Sequence, residues 1–204
     1  MAPGHGLGNV TPYVYDPGAE WGIHQEAEIV SEIACEVDAR IFPVESSEYG
    51  ITLTPACSDA CAKRHPTSSH LGYTIRYYNE NGAKFDLLLS LHMNAGPPSA
   101  TGVEVFYSAG ASDLRKEQAR VVSETLSRVL GIKDRGPKPD TDSAVGRLGI
   151  LRGTKFPALL IEFGFITNPT DVHAVTNCGV DALIAAMEAA RKVTQQWEAA
   201  RKVK

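Results

Sequence analysis

The stretch Asp86–Ala95, DLLLSLHMNA, decides the fold because a buried-strand pattern ends in polar residues. Four of the five residues after Asp86 are leucine, which is typical of a strand covered on both faces. The run ends at His92, and Asn94 and Gly96 follow. Ligands of open α/β sheets bind outside the carboxyl ends of the strands, so His92 is a candidate site residue. A core histidine satisfied by one hydrogen bond is the alternative.

The composition limits the class of protein. A chain of 204 residues with 43% hydrophobic content fits one α/β domain, spanning residues 1–204. The net charge of -4 disfavours nucleic acid as a partner. The sequence has no apolar run long enough for a transmembrane segment and does not start like a secretion signal, so we expect synthesis in the cytoplasm. Four cysteines without obvious pairing favour a reducing compartment.

Three further positions carry residues suited to chemistry. The first is His5, which lies in the glycine-rich stretch MAPGHGLGN, where the backbone can approach a ligand closely. A flexible terminus with an incidental histidine is the alternative reading.

The second position is Glu26. A helix is predicted from Ile23, with Val30, Ile33 and Val37 on its buried stripe, and Glu26 falls on the same stripe. A buried carboxylate must be paired, protonated or bound to a cation, so metal coordination would satisfy it. Capping of the helix N-terminus is the alternative.

The third position is Glu162, which interrupts the apolar strand predicted within Pro157–Pro169, PALLIEFGFITNP. Apolar neighbours raise the pKa of a carboxyl group toward the range useful for a general base. A buried salt bridge to Arg152 is the alternative.

The remaining elements follow from periodicity and from turn residues. We predict one or two short strands within residues 40–54, a helix over residues 70–81 and a strand over 101–107. A helix from Ser112 to Gly131 and a polar loop over 134–142, at the rim of a cleft, come next. A short strand over 148–152 and a helix from about 178 to 203 complete the chain. The last helix repeats EAARKV at residues 188–193 and 198–203, and this repeat predicts a helix that extends off the core.

A second metal site is a candidate at Cys57, Cys61, His65 and His70, which occur within fourteen residues. The spacing is not that of common zinc motifs, and Pro66 breaks any helix there. A local Cys57–Cys61 contact or unrelated thiols explain the cluster equally well.

Two imidazoles and a carboxylate, from His5, Glu26 and His92, form the ligand set of a catalytic zinc that keeps a position open for water. Glu162 would then exchange protons with that water and with a leaving amine. The residues alone therefore predict a metal-dependent amide hydrolase.

In order along the chain, the motifs PGHG, HQEAEIVSEIA, GAKFDLLLSLHMNA, TGVEVFY and FPALLIEFGFITNP resemble the zinc-dependent N-acetylmuramoyl-L-alanine amidases of the amidase-3 family. The resemblance implies a single α/β domain with a mixed, mostly parallel sheet flanked by helices on both faces. It also implies one Zn²⁺ held by His5, Glu26 and His92, with Glu162 as the catalytic acid/base.

The implied substrate is peptidoglycan, cut between N-acetylmuramic acid and the first L-alanine of the stem peptide. A compact chain without a signal or a separate wall-binding domain resembles a phage endolysin, made in the cytoplasm and acting on the cell wall after release. A bacterial remodelling or sporulation amidase, or a non-catalytic wall-binding module of the same fold, is the alternative. The family usually has a strand before PGHG, and here only two residues precede Pro3, so that strand is expected to be missing, shortened or replaced.

Overall fold

A computed structural model describes residues 1–7, 14–41, 71–81 and 86–202. The strands in chain order are β1 (Ala2–Pro3), β2 (Gly6–Leu7), β3 (Tyr15–Asp16), β4 (Glu20–Trp21), β5 (His24–Gln25), β6 (Leu88–Asn94), β7 (Val103–Tyr107), β8 (Asp134–Pro139) and β9 (Ala158–Phe165). The helices are α1 (Glu26–Ile41), α2 (Leu71–Asn81), α3 (Asp113–Leu130), α4 (Gly149–Gly153) and α5 (Pro169–Lys202), with a 3₁₀ turn at Asp140–Asp142.

The main sheet has five strands in the order β1-β6-β9-β7-β8. The pairs β1–β6, β6–β9 and β7–β8 are parallel, and β7–β9 is antiparallel. The leucine-rich stretch forms β6, which lies between β1 and β9. The prediction of a mixed, mostly parallel sheet with this buried strand inside it is therefore confirmed.

Helices cover both faces of the sheet, as predicted. On one face, α1, α3 and α5 pack over a core that includes Leu91 and Ile161. On the other face, α2 and α4 pack over a smaller core that includes Leu160 and Phe106. Successive side chains of a strand point to opposite faces, so β6, β7 and β9 each contribute to both cores. Among the described residues, none of the helices is long and apolar enough to cross a membrane.

The strand expected before PGHG is present. β1 has two residues, and Ala2 and Pro3 pair in parallel with Ser90 and Leu91 of β6. The strand is buried all the same, since Met1 and Ala2 both belong to the hydrophobic core. This short strand is sufficient to place the following loop at the carboxyl end of β6.

Several predicted elements are confirmed and agree closely with the structure. α2 and β7 lie where periodicity placed them. α3 begins after Ser112, whose side chain accepts a hydrogen bond from the Arg115 amide, and ends at Gly131 in the left-handed conformation at φ 68°. Of the segment 40–54 predicted to contain one or two short strands, residues 40 and 41 belong to α1. Residues 42–54 and the cluster of Cys57, Cys61, His65 and His70 lie outside the described residues.

Other sequence predictions were wrong. Ile23 is 90% exposed at the turn between β4 and β5, and α1 begins at Glu26. The predicted loop over residues 134–142 is mostly strand β8, which pairs with β7 although it contains two prolines, and the predicted strand over 148–152 is helix α4. The last helix begins at Pro169 rather than near residue 178, because Pro fits the first turn of a helix.

Two further outcomes concern the cysteines and the end of α5. Cys35 is disulfide-bonded and Cys178 is a free thiol, so the disulfide at Cys35 does not fit the reducing compartment that the lack of obvious cysteine pairs favoured. The last buried residue of α5 is Ala190, and residues 195–202 are all exposed. The end of this helix therefore does extend beyond the core.

Candidate metal centre and active site

His5 is placed by the loop that follows β1. The Gly4 amide donates a hydrogen bond to the Leu91 carbonyl at 2.8 Å, which continues the pairing with β6 by one residue. A Cβ atom on Gly4 would lie 2.2 Å from the His92 ring, so only glycine fits at this position beside β6. His5 itself has φ 60°, a backbone conformation that is uncommon for residues other than glycine. The PGHG motif thus brings the two imidazoles close together.

Glu26 is the first residue of α1, and its side chain lies between the two histidines. It is 3% exposed. Its Oε1 is 2.8 Å from His92 Nδ1, and its Oε2 is 3.3 Å from His5 Nε2. The backbone amides of Met93 and Ala19 also donate to this carboxylate, at 3.1 and 2.9 Å. The inward position predicted for Glu26 is correct, although the helix begins later than predicted.

These three side chains form a group that can hold a metal ion. One ligand atom from each of His5, Glu26 and His92 lies within 4.8 Å of the others. Two neutral imidazoles and one carboxylate are ligands that suit zinc better than calcium or magnesium, which prefer oxygen. Three protein ligands also leave a coordination position open. The residues present therefore fit a zinc ion.

Asp16 supports this group, and sequence reasoning missed it. His5 Nδ1 is 2.9 Å from Asp16 Oδ2 and forms a hydrogen bond with it. The other ring nitrogen, Nε2, therefore faces Glu26. Asp16 Oδ1 accepts a hydrogen bond from the Gly18 amide at 3.0 Å. A carboxylate behind a ligating histidine fixes its tautomer and its orientation. The signal that could have revealed Asp16 is the sequence Asp-Pro-Gly in the loop between His5 and Glu26.

The backbone at Gly18 also determines the shape of the site. Gly18 has φ +71°, and a Cβ atom there would lie 2.6 Å from Glu26 Oε2 and 2.7 Å from His5 Cδ2. A side chain at this position would displace both candidate ligands. The short turn at residues 16–19 therefore holds His5 and Glu26 together.

The charges in this group perturb one another. Burial alone would lower the pKa of His5, but hydrogen bonds and charge interactions with Glu26 and Asp16 outweigh it and raise the pKa to about 9. Burial alone would raise the pKa of Glu26, but His5 and His92 hold it well below its usual range. Without a metal ion, His5 therefore carries a proton at neutral pH, and Glu26 is ionised.

This protonation predicts that zinc binds the metal-free protein more tightly as the pH rises toward about 9. A histidine must be neutral to bind a metal ion, so zinc has to displace the His5 proton. The affinity should increase by about tenfold for each pH unit below the His5 pKa, and this contribution should level off above it, because zinc displaces the one proton on His5. Competition with a chromophoric chelator at a series of pH values measures this slope.

The matched variant for this measurement is Asp16→Asn. It removes one of the charges that raise the pKa of His5, so the levelling-off should occur at a lower pH. Zinc affinity that does not change between pH 6.5 and pH 9 in the unchanged chain would contradict the prediction.

Glu162 lies beside this group on the neighbouring strand. Its Cα is the register partner of His92, and paired residues of parallel strands project from the same face of the sheet. Its Oε2 is buried and accepts no hydrogen bond from the described part of the chain. Burial raises the pKa of Glu162 well above its ordinary value, and the charges of Glu26 and Glu104 raise it further. Arg152 pairs with Asp140 instead, so the alternative of a Glu162–Arg152 salt bridge is wrong.

A second buried carboxylate, Glu104, lies next to Glu162 on the neighbouring strand β7. Glu104 on β7 is the register partner of Glu162 and is 4% exposed. It forms ion pairs with Arg135 and with Lys138, the latter at 3.0 Å. Sequence reasoning assigned the strand TGVEVFY correctly but gave Glu104 no role, because a glutamate in an alternating strand is usually solvated.

Comparison with known proteins identifies the family. Residues 1–190 match the family described as N-acetylmuramoyl-L-alanine amidase, Amidase_3, and the chain belongs to this family. The family resemblance read from the sequence motifs is therefore confirmed.

Two curated relatives match part of the chain. The N-acetylmuramoyl-L-alanine amidase CwlM of Bacillus licheniformis is 35% identical over 88 residues, which are 43% of this chain and 32% of that protein. The endolysin of Bacillus phage SPP1 is 37% identical over 93 residues, which are 43% of this chain and 32% of that protein. The match thus spans about a third of the length of these relatives.

The fold is similar to solved amidase structures. An N-acetylmuramoyl-L-alanine amidase from Clostridium difficile 630 superposes with a TM-score of 0.64 at 22% sequence identity, covering 96% of this chain and 93% of that one. This likeness supports the single-domain α/β architecture described above.

Proposed function

We propose that this protein is a zinc-dependent N-acetylmuramoyl-L-alanine amidase that hydrolyses the amide bond between N-acetylmuramic acid and the first L-alanine of peptidoglycan. One observation carries the proposal: His5, Glu26 and His92 converge within 4.8 Å beside the buried carboxyl group of Glu162. Membership of the amidase family supports the choice of substrate. A non-catalytic wall-binding module would have no chemical reason to keep this group together.

In the proposed mechanism, His5, Glu26 and His92 would hold the zinc ion. When bound, zinc supplies Lewis acidity, which polarises an amide carbonyl and makes water more acidic. Glu162 takes a proton from the water that attacks the carbonyl carbon, and it then delivers this proton to the nitrogen of the leaving L-alanine. Its buried Oε2 is free of other described hydrogen-bond partners, so it is available for this transfer.

The electrostatics of the site suit this role. The negative charge of Glu26 is one of the causes that raise the pKa of Glu162. A cation held by Glu26 would offset that charge and would therefore lower the pKa of Glu162. A group with a pKa near the working pH can both accept and donate a proton efficiently.

Digestion of purified peptidoglycan tests the proposed reaction. The zinc-loaded protein should release new amino groups on L-alanine and no new reducing sugar ends. New reducing ends would indicate a glycosidase, and new amino groups on other residues would indicate an endopeptidase. Either result would refute the amidase proposal.

The biological setting proposed here is that of a phage endolysin, synthesised in the cytoplasm and acting on the wall after release. The local similarity to the endolysin of Bacillus phage SPP1 supports this setting. Lysis of intact host cells after expression together with a holin tests it, and an absence of lysis despite activity on isolated walls would argue against it.

A further inference from the structure

A pair of cations lies at the edge of the proposed site, on the side away from His5. We propose that Arg135 and Lys138 form a subsite that binds a carboxylate group of the stem peptide during peptidoglycan recognition. This inference rests on the proposed function for the identity of the peptide. It assigns a role to the two cations that hydrolysis of the amide bond does not require.

The first argument is the local charge balance. Arg135 Nε and Lys138 Nζ both contact the same oxygen of Glu104, Oε1, the second at 3.0 Å. Within the described ranges, Glu104 is the only carboxylate in ion-pair distance of either cation. Two positive charges therefore face one negative charge, and one positive charge is left over in a chain whose net charge is -4.

Neighbouring acidic residues do not balance this excess. Asp134 forms no ion pair with either cation among the described residues, and its carboxylate accepts hydrogen bonds from Ser123 and from the Gly136 amide. Asp140 is fully buried and pairs with Arg152. Glu162, the cross-strand neighbour of Glu104, forms no ion pair with either cation in the described part of the chain.

The second argument is accessibility. The side chains of Arg135 and Lys138 are 31% and 29% exposed, whereas that of Glu104 is 6% exposed. The carboxylate thus lies beneath the two cations and holds them in place. Arg135 is held further by Phe165, whose ring centroid lies 5.1 Å from its guanidinium carbon. Cations that are already ordered lose little side-chain entropy when they bind an anion.

The third argument is the position of the cations relative to the candidate metal ligands. His92, Glu162 and Glu104 occupy one row across the adjacent strands β6, β9 and β7. Adjacent strands are about 4.8 Å apart, and Glu104 lies two strands away from His92. The distance between these two residues across the sheet is therefore about 10 Å. An extended peptide covers that distance in about three residues. The carboxylate should therefore belong to the second or third residue of the stem peptide, counted from the scissile bond.

Two synthetic muramoyl tripeptides test the subsite. Both have an amidated C-terminus; one has free side carboxyl groups on its second and third residues, and the other has both of these groups amidated. The zinc-loaded protein should show a KM about tenfold lower for the free-carboxylate substrate, the effect of a charge-assisted hydrogen bond. The corresponding tripeptides without the muramoyl group should show the same preference in an NMR titration, which does not depend on hydrolysis.

Lys138→Gln is the test variant, because Arg135 then remains to pair with the buried Glu104. It should reduce the tenfold preference to about twofold or less, whereas Lys138→Arg should keep it. Lys155→Gln, at an exposed position, is the matched control and should keep the full preference.

Equal KM and equal affinity for the two forms in the unchanged chain would overturn the subsite, and so would a full preference in the Lys138→Gln protein. The amidase proposal alone would be refuted if neither muramoyl peptide were hydrolysed while the titrations still showed the preference for the free carboxylates and its loss in Lys138→Gln. The two failures are therefore distinguishable.

Discussion

The Glu162→Gln protein is expected to bind zinc like the unchanged chain and to lose about 10²- to 10⁴-fold of its turnover, the usual contribution of a general acid/base. Glutamine keeps the size of the side chain but cannot transfer the proton. The ligands are untouched, since Glu162 lies on β9 and the three candidate ligands lie on other elements. Turnover on peptidoglycan and zinc content per chain are the two measurements.

The same variant has a second expected effect, on stability. Because burial raises the pKa of Glu162, ionisation of this group destabilises the metal-free fold, and the free energy of unfolding should fall as the pH rises above the ordinary value of 4.5. Glutamine does not ionise, so this loss should be smaller in the Glu162→Gln protein. Glu124→Gln, at an exposed position on α3, is the control for both measurements. Near-normal turnover in Glu162→Gln would remove Glu162 from the mechanism.

The second large effect is expected for Glu26→Gln, which should weaken zinc binding by at least about a hundredfold. Loss of groups outside the ligand shell already costs 10- to 100-fold, and Glu26 is itself a candidate ligand. The variant also leaves protonated His5 without its nearest buried negative charge. Chelator competition measures the zinc affinity, and the unfolding transition of the metal-free protein shows whether the fold persists.

Glu32→Gln is the matched control for this variant, because Glu32 lies on the exposed face of the same helix. It should bind zinc like the unchanged chain. Unchanged zinc affinity in Glu26→Gln would transfer the ligand role to another acidic residue nearby, Glu20 or Glu28.

Most of the main candidate site was predictable from sequence because three of its four residues violate a simple pattern, and His5 was found from its glycine-rich surroundings. His92 ends an apolar run, Glu162 interrupts one, and Glu26 lies on the apolar stripe of a helix. Burial of a polar group is costly, so such violations point to a partner. The structure brings His5, Glu26 and His92 together as this reasoning expected.

Asp16 and the basic pair at Arg135 and Lys138 were not predictable in this way. These residues lie in stretches rich in proline and glycine, where polar residues violate no pattern. Their contacts with His5 and Glu104 depend on pairing between segments that are distant in sequence. The β8 strand was missed for a related reason, because prolines at a sheet edge remove few hydrogen bonds and are tolerated there.

The direction of the strands determines which connections border the cleft. Because β7 and β8 run opposite to β6 and β9, Glu104 lies near the beginning of β7 although its partner Glu162 lies in the second half of β9. The segments that enter β7 and β8, residues 95–102 and 131–133, therefore approach the cleft, whereas those that leave them, 108–112 and 140–148, emerge at the opposite end of the sheet. Changes in the two entry segments are therefore expected to alter the cleft, whereas insertions in the two exit segments are expected to leave it unaltered.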